Sequence, residues 1–340
     1  MTYNFFGKEM ELTDRLVAQI ETLNRIFALA DEHNADILFG GDFFHARHRI
    51  PTLVFNIGFD TIYENMLKYP NVNMYMIVGN HDQKDNSPFP EHSLRTFRTI
   101  PRVHIMDDFY PVDVGSCVIY PATYSDDVAY LKTRIKEFAQ EAEYVGKPSI
   151  LLGHLGVDGS ETGRYSHRLE GAFQLGDLYP NIFTYVALGH YHKRQFLGGT
   201  DNMFYGGNTI QTSYSDEGQD KGVFLMDVEN ISKPQFIPIE NKKFITLNHI
   251  PDNAQELIDN NYIRFVIPQN LATSVEVFKS DTDNIRVEVQ KEYKSEVRID
   301  IADDATDHEI VKAYAEKYHP EVVDIVLDIL KEAMELEAVA

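Results

Sequence analysis

Lone-pair side chains recur at the ends of apolar runs in this chain. FGGDFFH holds Asp42 and His45, VGNHD holds Asn80, His81 and Asp82, LLGHLG holds His154, and ALGHYH holds His190 and His192. In each case an apolar stretch meets glycine and then an oxygen or nitrogen donor. Mixed Asp, Asn and His ligands without thiolate suit first-row divalent ions. Glycine lets the backbone bend sharply and leaves room beside a bound group. Each motif alone has a plainer reading. A single histidine at a strand end can be a satisfied polar group, Asp42 after Gly-Gly can be a turn residue, Gly-Asn-His-Asp can be a loop, and HARHR at 45–49 can be a solvated basic face. The repetition of one pattern, in order along the chain, favours a shared metal centre.

Strands and helices in alternation would have to bring these ends together. LTDRLVAQIETLNRIFALADEH (12–33) has helical spacing with Thr13 as a candidate cap. ADILFGGDFFH is a short apolar strand, TLVFNIGFDTIYENMLKY a second helix, and VNMYMIVGNHD the next strand. Residues 103–120 are strand-rich, DDVAYLKTRIKEFAQEAEYV is helical, and PSILLGHLG and FTYVALGHYHKR are again strands. NMFYGGNTIQTSY, GVFLMDVEN and KPQFIPIE follow as expected strands. Such alternation predicts an α/β layered domain, in which ligands gather at the carboxyl ends of strands. NYIRFVIP, SVEVFKS and IRVEVQKEY predict a small β-rich unit, and Thr306 to Glu337 a helical hairpin or bent helix broken at Pro320.

Composition narrows the class. The 340 residues are 43% hydrophobic, enough for a sizeable core and a second unit. No apolar run reaches the roughly 18 residues of a membrane span, and no secretory leader is visible. Cys117 stands alone, which excludes an internal disulfide framework and a cysteine-based zinc site. These features predict a soluble cytoplasmic protein with no membrane partner. The net charge of −22 disfavours general nucleic-acid binding, but basic clusters at Arg95, Arg98 and Arg102, at 45–49, at 163–168 and at 192–194 leave local phosphate attraction open.

The order GD-x-x-H, GNH-D, GH, GH-x-H resembles the calcineurin-like metallophosphoesterases. Within them, GDFFHARHRIPT and MFYGGNTIQTSYSDEGQDKGVFLMDV resemble the SbcD-type DNA repair and recombination nucleases and their short bacteriophage versions. The resemblance covers about residues 10–245 well and the remainder in outline. It implies a four-layer α/β/β/α sandwich at 1–245, a small α+β capping and DNA-positioning unit at 246–303, and a helical partner-binding tail at 304–340. It implies two ions, usually Mn²⁺ with Mg²⁺ an option. Asp42 would bridge them, Asn80, His154 and His190 would complete one, and His192 would bind the other. His81 would act as general acid or steady the leaving group, His45 would assist, and Asp82 would orient His81. The implied activity is phosphodiester hydrolysis of DNA, 3′→5′ exonuclease on duplex and endonuclease on single strands. The implied partners are DNA, an SMC-like coiled-coil ATPase of SbcC type, and a second copy as homodimer; a phage-encoded chain would act in the host cytoplasm.

One departure bears on all of this. The resemblance implies an opening apolar strand ending in Asp-x-His, and this chain opens MTYNFFGKEMELTDR, with the first helix starting near Leu12. Three explanations compete: a fragment, a natural one-metal or inactive variant, or a replacement ligand such as Glu9 or Glu11. The chain alone is therefore expected to hydrolyse DNA poorly. At the other end, PEVVDIVLDILKEAMELEA places Val322, Val326, Ile329, Leu330 and Ala333 on one stripe, which suits core packing or a partner helix. Two rival functions remain: a metallophosphatase acting on small nucleotides or phosphoproteins, and a non-catalytic scaffold with a partial metal site.

Overall fold

The computed structural model describes residues 2–161, 173–278, 285–289, 299 and 305–337. The chain divides into two compact units, Met1–Val289 and Gln290–Ala340.

The first unit opens with an antiparallel hairpin, β1 (Thr2–Phe5) and β2 (Lys8–Glu11), turning at Phe6 and Gly7 with φ of 46° and 85°. Thr13 then caps α1 (Asp14–Glu32), its hydroxyl accepting from the Leu16 amide at 3.3 Å. β3 (Ile37–Phe39), α2 (Thr52–Lys68), β4 (Met74–Ile77) and β5 (Val103–Met106) follow, and the three strands form a parallel sheet in the order β3–β4–β5.

Next come β6 (Val112–Asp113), β7 (Val118–Ala122), α3 (Val128–Val145), β8 (Ser149–His154), β9 (Tyr185–Gly189), β10 (Gln195–Phe196) and β11 (Met203–Tyr205). They build a second sheet ordered β10–β11–β9–β8–β7–β6. Asp127 caps α3 by accepting from the Tyr130 amide, and Gly146 ends it in the left-handed region. β12 (Gly222–Leu225) and β13 (Gln235–Pro238) form an antiparallel ribbon.

Alternation along the strands explains the layering. Tyr75, Ile77 and Met106 of the first sheet face Ile119, Ile150, Leu152 and Tyr185 of the second, making the inter-sheet core. The opposite face of the first sheet, with Ile37, Met74 and Met76, takes Phe27 of α1 and Ile62 and Met66 of α2. The outer face of the second, with Tyr120, Leu151 and Val186, takes Leu131, Ile135 and Phe138 of α3. Each such fully buried side chain is worth about 1.5–3 kcal/mol. The result is the expected four-layer α/β/β/α sandwich.

Residues 244–289 build a separate parallel sheet, β14 (Phe244–Leu247), β15 (Tyr262–Ile267) and β16 (Ile285–Val289), with α4 (Ala254–Asn260) and the single turn α5 (Gln269–Ala272) between strands. SVEVFKS, expected as a strand, is not one. Pro268 starts a helical turn, a 3₁₀ turn over Thr273–Val275 extends it, and Val275 and Phe278 pack on Phe265 from there. NMFYGGNTIQTSY is a strand only at Met203–Tyr205, because Gly206 and Gly207 turn the chain away. In the second unit, α6 (Asp307–Tyr318) and α7 (Val323–Glu337) are separated by a turn at Pro320–Val322, as the proline predicts. Among the described residues no helix is long and apolar enough to cross a membrane.

Candidate metal centre

The ends of β3, β4, β8 and β9 meet. Gly40, Gly41 and Asp42 leave β3, Gly79 and Asn80 follow β4, His154 closes β8, and His190 follows β9. The approach is close enough to demand glycine. A Cβ on Gly79 would collide with the Asp42 carboxylate and stand 2.7 Å from His154 Cε1, and a Cβ on Gly41, already at φ +92°, would stand 2.5 Å from His154 Nδ1. Asp42 and His190 hold positive φ of 61° and 97°, backbone strain of the kind that clusters at functional sites.

Four donors converge here. His154 Nδ1 donates to the Gly40 carbonyl at 2.6 Å, which leaves Nε2 to face Asp42 Oδ2 at 3.3 Å and Asn80 Oδ1 at 3.0 Å. His190 Nδ1 lies 3.2 Å from the same Asn80 oxygen. Two oxygens thus crowd the one nitrogen whose partner is not main chain. A cation at the centre, proton or metal, resolves that repulsion. Burial disfavours charge on His154, yet its hydrogen bond and attraction to Asp42 raise its pKa. Burial likewise pushes Asp42 up, but the His154 contacts and the His81 amide win and hold it below the usual carboxylate range. His190 falls to about 4, through burial and then repulsion from His154, so its lone pair is free at neutral pH.

Among the described residues no three of His, Cys, Asp and Glu are disposed to hold an ion by themselves. The set that fits one ion is Asp42, Asn80, His154 and His190, with an amide oxygen as its hub. Mixed oxygen and nitrogen donors with the distal histidine nitrogen fixed by a carbonyl are the chemistry of such sites. A second ion fits poorly: only His192, itself exposed, stands ready to join Asp42. Glu9 and Glu11 do not supply the difference. They lie exposed on the β1–β2 hairpin, whose Phe5 packs with Leu12, Val17, Ile20 and Ile57.

The remaining predicted residues are near, with one change of partner. His81 donates its backbone amide to Asp42 Oδ1 at 2.8 Å, and its ring Nδ1 meets the His45 carbonyl at 2.7 Å. The His45 and His81 rings stack at 5.4 Å. Asp82, predicted to orient His81, instead turns its buried carboxylate to accept from the amides of Asp42 (2.7 Å), Phe44 (3.2 Å) and Gly79 (3.1 Å). It therefore ties the β3 loop to the β4 turn. Burial and the neighbouring Asp42 charge push its pKa up to about 6.

Sequence reasoning missed the supports. Lys221, buried, donates to the His192 carbonyl at 2.8 Å and pairs with buried Asp216 at 3.0 Å. Asp216 also accepts from the Thr212 amide and hydroxyl and from Asn208. The available signal was a lysine beside an acidic turn. Tyr205 donates to the Leu155 carbonyl and accepts from the Val157 amide, fixing the chain after His154. Tyr191 and Tyr124 lie against the His190 ring, with centroids at 4.9 and 5.7 Å.

Several basic residues are spent on structure. Arg98 pairs with Asp107, Arg102 donates to the Met66 and Val72 carbonyls, Lys193 pairs with Glu161, and Arg194 covers the Phe236 ring at 3.9 Å. The cluster at 163–168 lies outside the described residues.

Residues 16–194 match the family model of the calcineurin-like phosphoesterases. The chain belongs to that family. It is 25% identical over 303 residues to the SbcD subunit of nuclease SbcCD from Staphylococcus epidermidis, covering 75% of this chain and 80% of the relative. It is 24% identical over 264 residues to the Staphylococcus saprophyticus counterpart, covering 65% and 70%. The DNA double-strand break repair protein Mre11 of Sulfurisphaera tokodaii is 33% identical over 194 residues, 54% of this chain and 48% of that protein. The matched region of the phosphoesterase family contains every predicted site residue from Asp42 to His192.

Proposed function

We propose that this chain is a metal-dependent phosphodiesterase subunit acting on DNA. The observation that carries the reading is the convergence of Asp42, Asn80, His154 and His190 lone pairs on one point. When bound, a divalent ion, by our reading Mn²⁺ with Mg²⁺ an alternative, would polarise the phosphoryl group and promote attack by water. The chain's own residues do the rest. Asp42 and Asn80 bring oxygen donors, and His154 and His190 bring nitrogens whose orientation the Gly40 carbonyl and the tyrosine walls support. His81 has its Nδ1 fixed by the His45 carbonyl, so Nε2 is the atom left to face a phosphate and to give a proton to the departing oxygen. His45 steadies that ring from one side. Asp82 keeps the two loops in register, and His192 is the one further donor toward a second ion.

Kinship with a subunit of the SbcCD nuclease and with a break-repair protein supports DNA as the substrate and a cytoplasmic role in recombination or repair. The word subunit in the relative's name also supports a partner, which we take to be an SMC-like ATPase. Ile325 and Ile329 on α7 are 59% and 60% exposed, and a partner helix would cover them. A homodimer and the division at 245 and 303 remain part of this proposal. The decisive assay compares a phosphodiester with a monoester and then duplex DNA, each with Mn²⁺. Diester and DNA cleavage support the nuclease; monoester preference contradicts it. The thin donor set for a second ion favours one further reading, a subunit with an impaired centre, which predicts Mn²⁺ binding with little turnover.

A further inference from the structure

The first sheet ends at β3, whose outer edge has no strand partner among the described residues. β12 pairs with β13 on one side and, among the described residues, likewise has a free edge on the other. Between the two lies a groove of about 1070 Å³ of empty volume. Leu38 and Phe39 of β3 form one wall, Val223, Phe224 and Met226 the other. Leu38, Phe224 and Met226 pack on the inter-sheet core and yet stay only half-buried. The floor belongs to the second sheet, through Leu152, Ala187 and Phe204. At its end the groove reaches Asp42, His154, His190 and His192, where donors for a second ion run short.

Resting on the metal-centre reading above, we propose that this groove accepts, in trans, one extended strand of a second polypeptide that completes the centre. Two facing strand edges present unpaired backbone donors and acceptors, and a single extended segment satisfies both at once. A strand covered on both faces is apolar throughout, which matches the walls and floor. Running parallel to β3, its carboxyl end arrives beside Gly40 and Asp42. Side chains two residues apart share one face, so a carboxylate and an imidazole at that spacing would both meet the donor cluster. This chain's own residues ahead of α1 are committed elsewhere: β1 and β2 pair with each other and pack, through Phe5, beside α1. The occupant is therefore assigned to another polypeptide.

The test uses the full chain and a labelled synthetic peptide of alternating valine and isoleucine ending in Asp-Ser-His. Fluorescence anisotropy reads peptide binding, and the Mn²⁺ retained per chain after dialysis reads the centre. Saturable binding is expected, weakened about tenfold or more when proline interrupts the peptide's apolar run, since proline removes ladder hydrogen bonds. Phe224→Glu should weaken it similarly. The Mn²⁺ count should rise with the Asp-Ser-His peptide and not with an Ala-Ser-Ala ending. Binding that is absent, or indifferent to the proline, overturns the proposal, and the proline peptide leaves protein folding untouched. Proline-sensitive binding without a rise in Mn²⁺ overturns the completion of the centre. If no peptide binds while Asp42-dependent Mn²⁺ binding persists, this inference fails and the metal-centre reading stands.

Discussion

Gly79 carries as much of the site as any ligand. It lets Asp42 and His154 approach the β4 turn, and nothing larger fits. Gly79→Ala should therefore cost about 1–3 kcal/mol in denaturant unfolding, the usual range for overpacking, and should abolish Mn²⁺ retention. His81 touches no donor of the central set through its ring. His81→Ala should leave Mn²⁺ affinity unchanged and slow diester hydrolysis by about 10²–10⁴, the usual contribution of a general acid; a parallel loss of metal would show His81 to be a ligand instead. The ligand types at Asp42, Asn80, His154 and His190 were legible because each follows an apolar run and a glycine. The partner of Asp82 was not, since a carboxylate next to His81 in sequence points at main-chain amides that only the fold brings near.

At the scale of elements, helices with strong periodicity and caps were readable: Thr13 and Asp127 cap the helices expected to follow them. SVEVFKS misled because β-branched residues also serve a buried turn when a proline sets its start. Lys221 links an element to the site, holding the His192 carbonyl while paired with Asp216. Lys221→Met should cost about 3 kcal/mol, because it leaves a buried carboxylate without its cation, and the thermal or denaturant midpoint measures it. Asp107 supplies a pH dependence. Burial raises its pKa, but the His92 hydrogen bond and the Arg98 charge outweigh this and lower it. A depressed carboxylate stabilises the fold above its unfolded pKa of about 3.9. That stability is lost as pH falls through the folded-state value. Unfolding free energy should thus drop on acidification below pH ~4, and Asp107→Asn should remove part of that slope.

For the whole molecule, the sandwich was legible because strand–helix alternation leaves few ways to cover two sheets. The open slot between β3 and β12 was legible only indirectly, as an absent motif; its walls come from segments nearly two hundred positions apart. The acidic balance of the chain and the structural use of Arg98, Arg102 and Arg194 leave little free cationic surface in the described clusters, which suits a subunit whose partner contributes DNA contacts. Ile325→Glu with Ile329→Glu should leave the melting midpoint unchanged and abolish co-purification with an SMC-like ATPase subunit.

The central claim is that Asp42, Asn80, His154 and His190 hold a divalent ion for phosphodiester hydrolysis. Mn²⁺ bound per chain at equilibrium tests it most directly, in the unaltered chain and in Asn80→Ala and His154→Ala. One ion per unaltered chain is expected, with affinity falling about tenfold or more in either variant. No bound Mn²⁺, or binding that both variants retain in full, would contradict it.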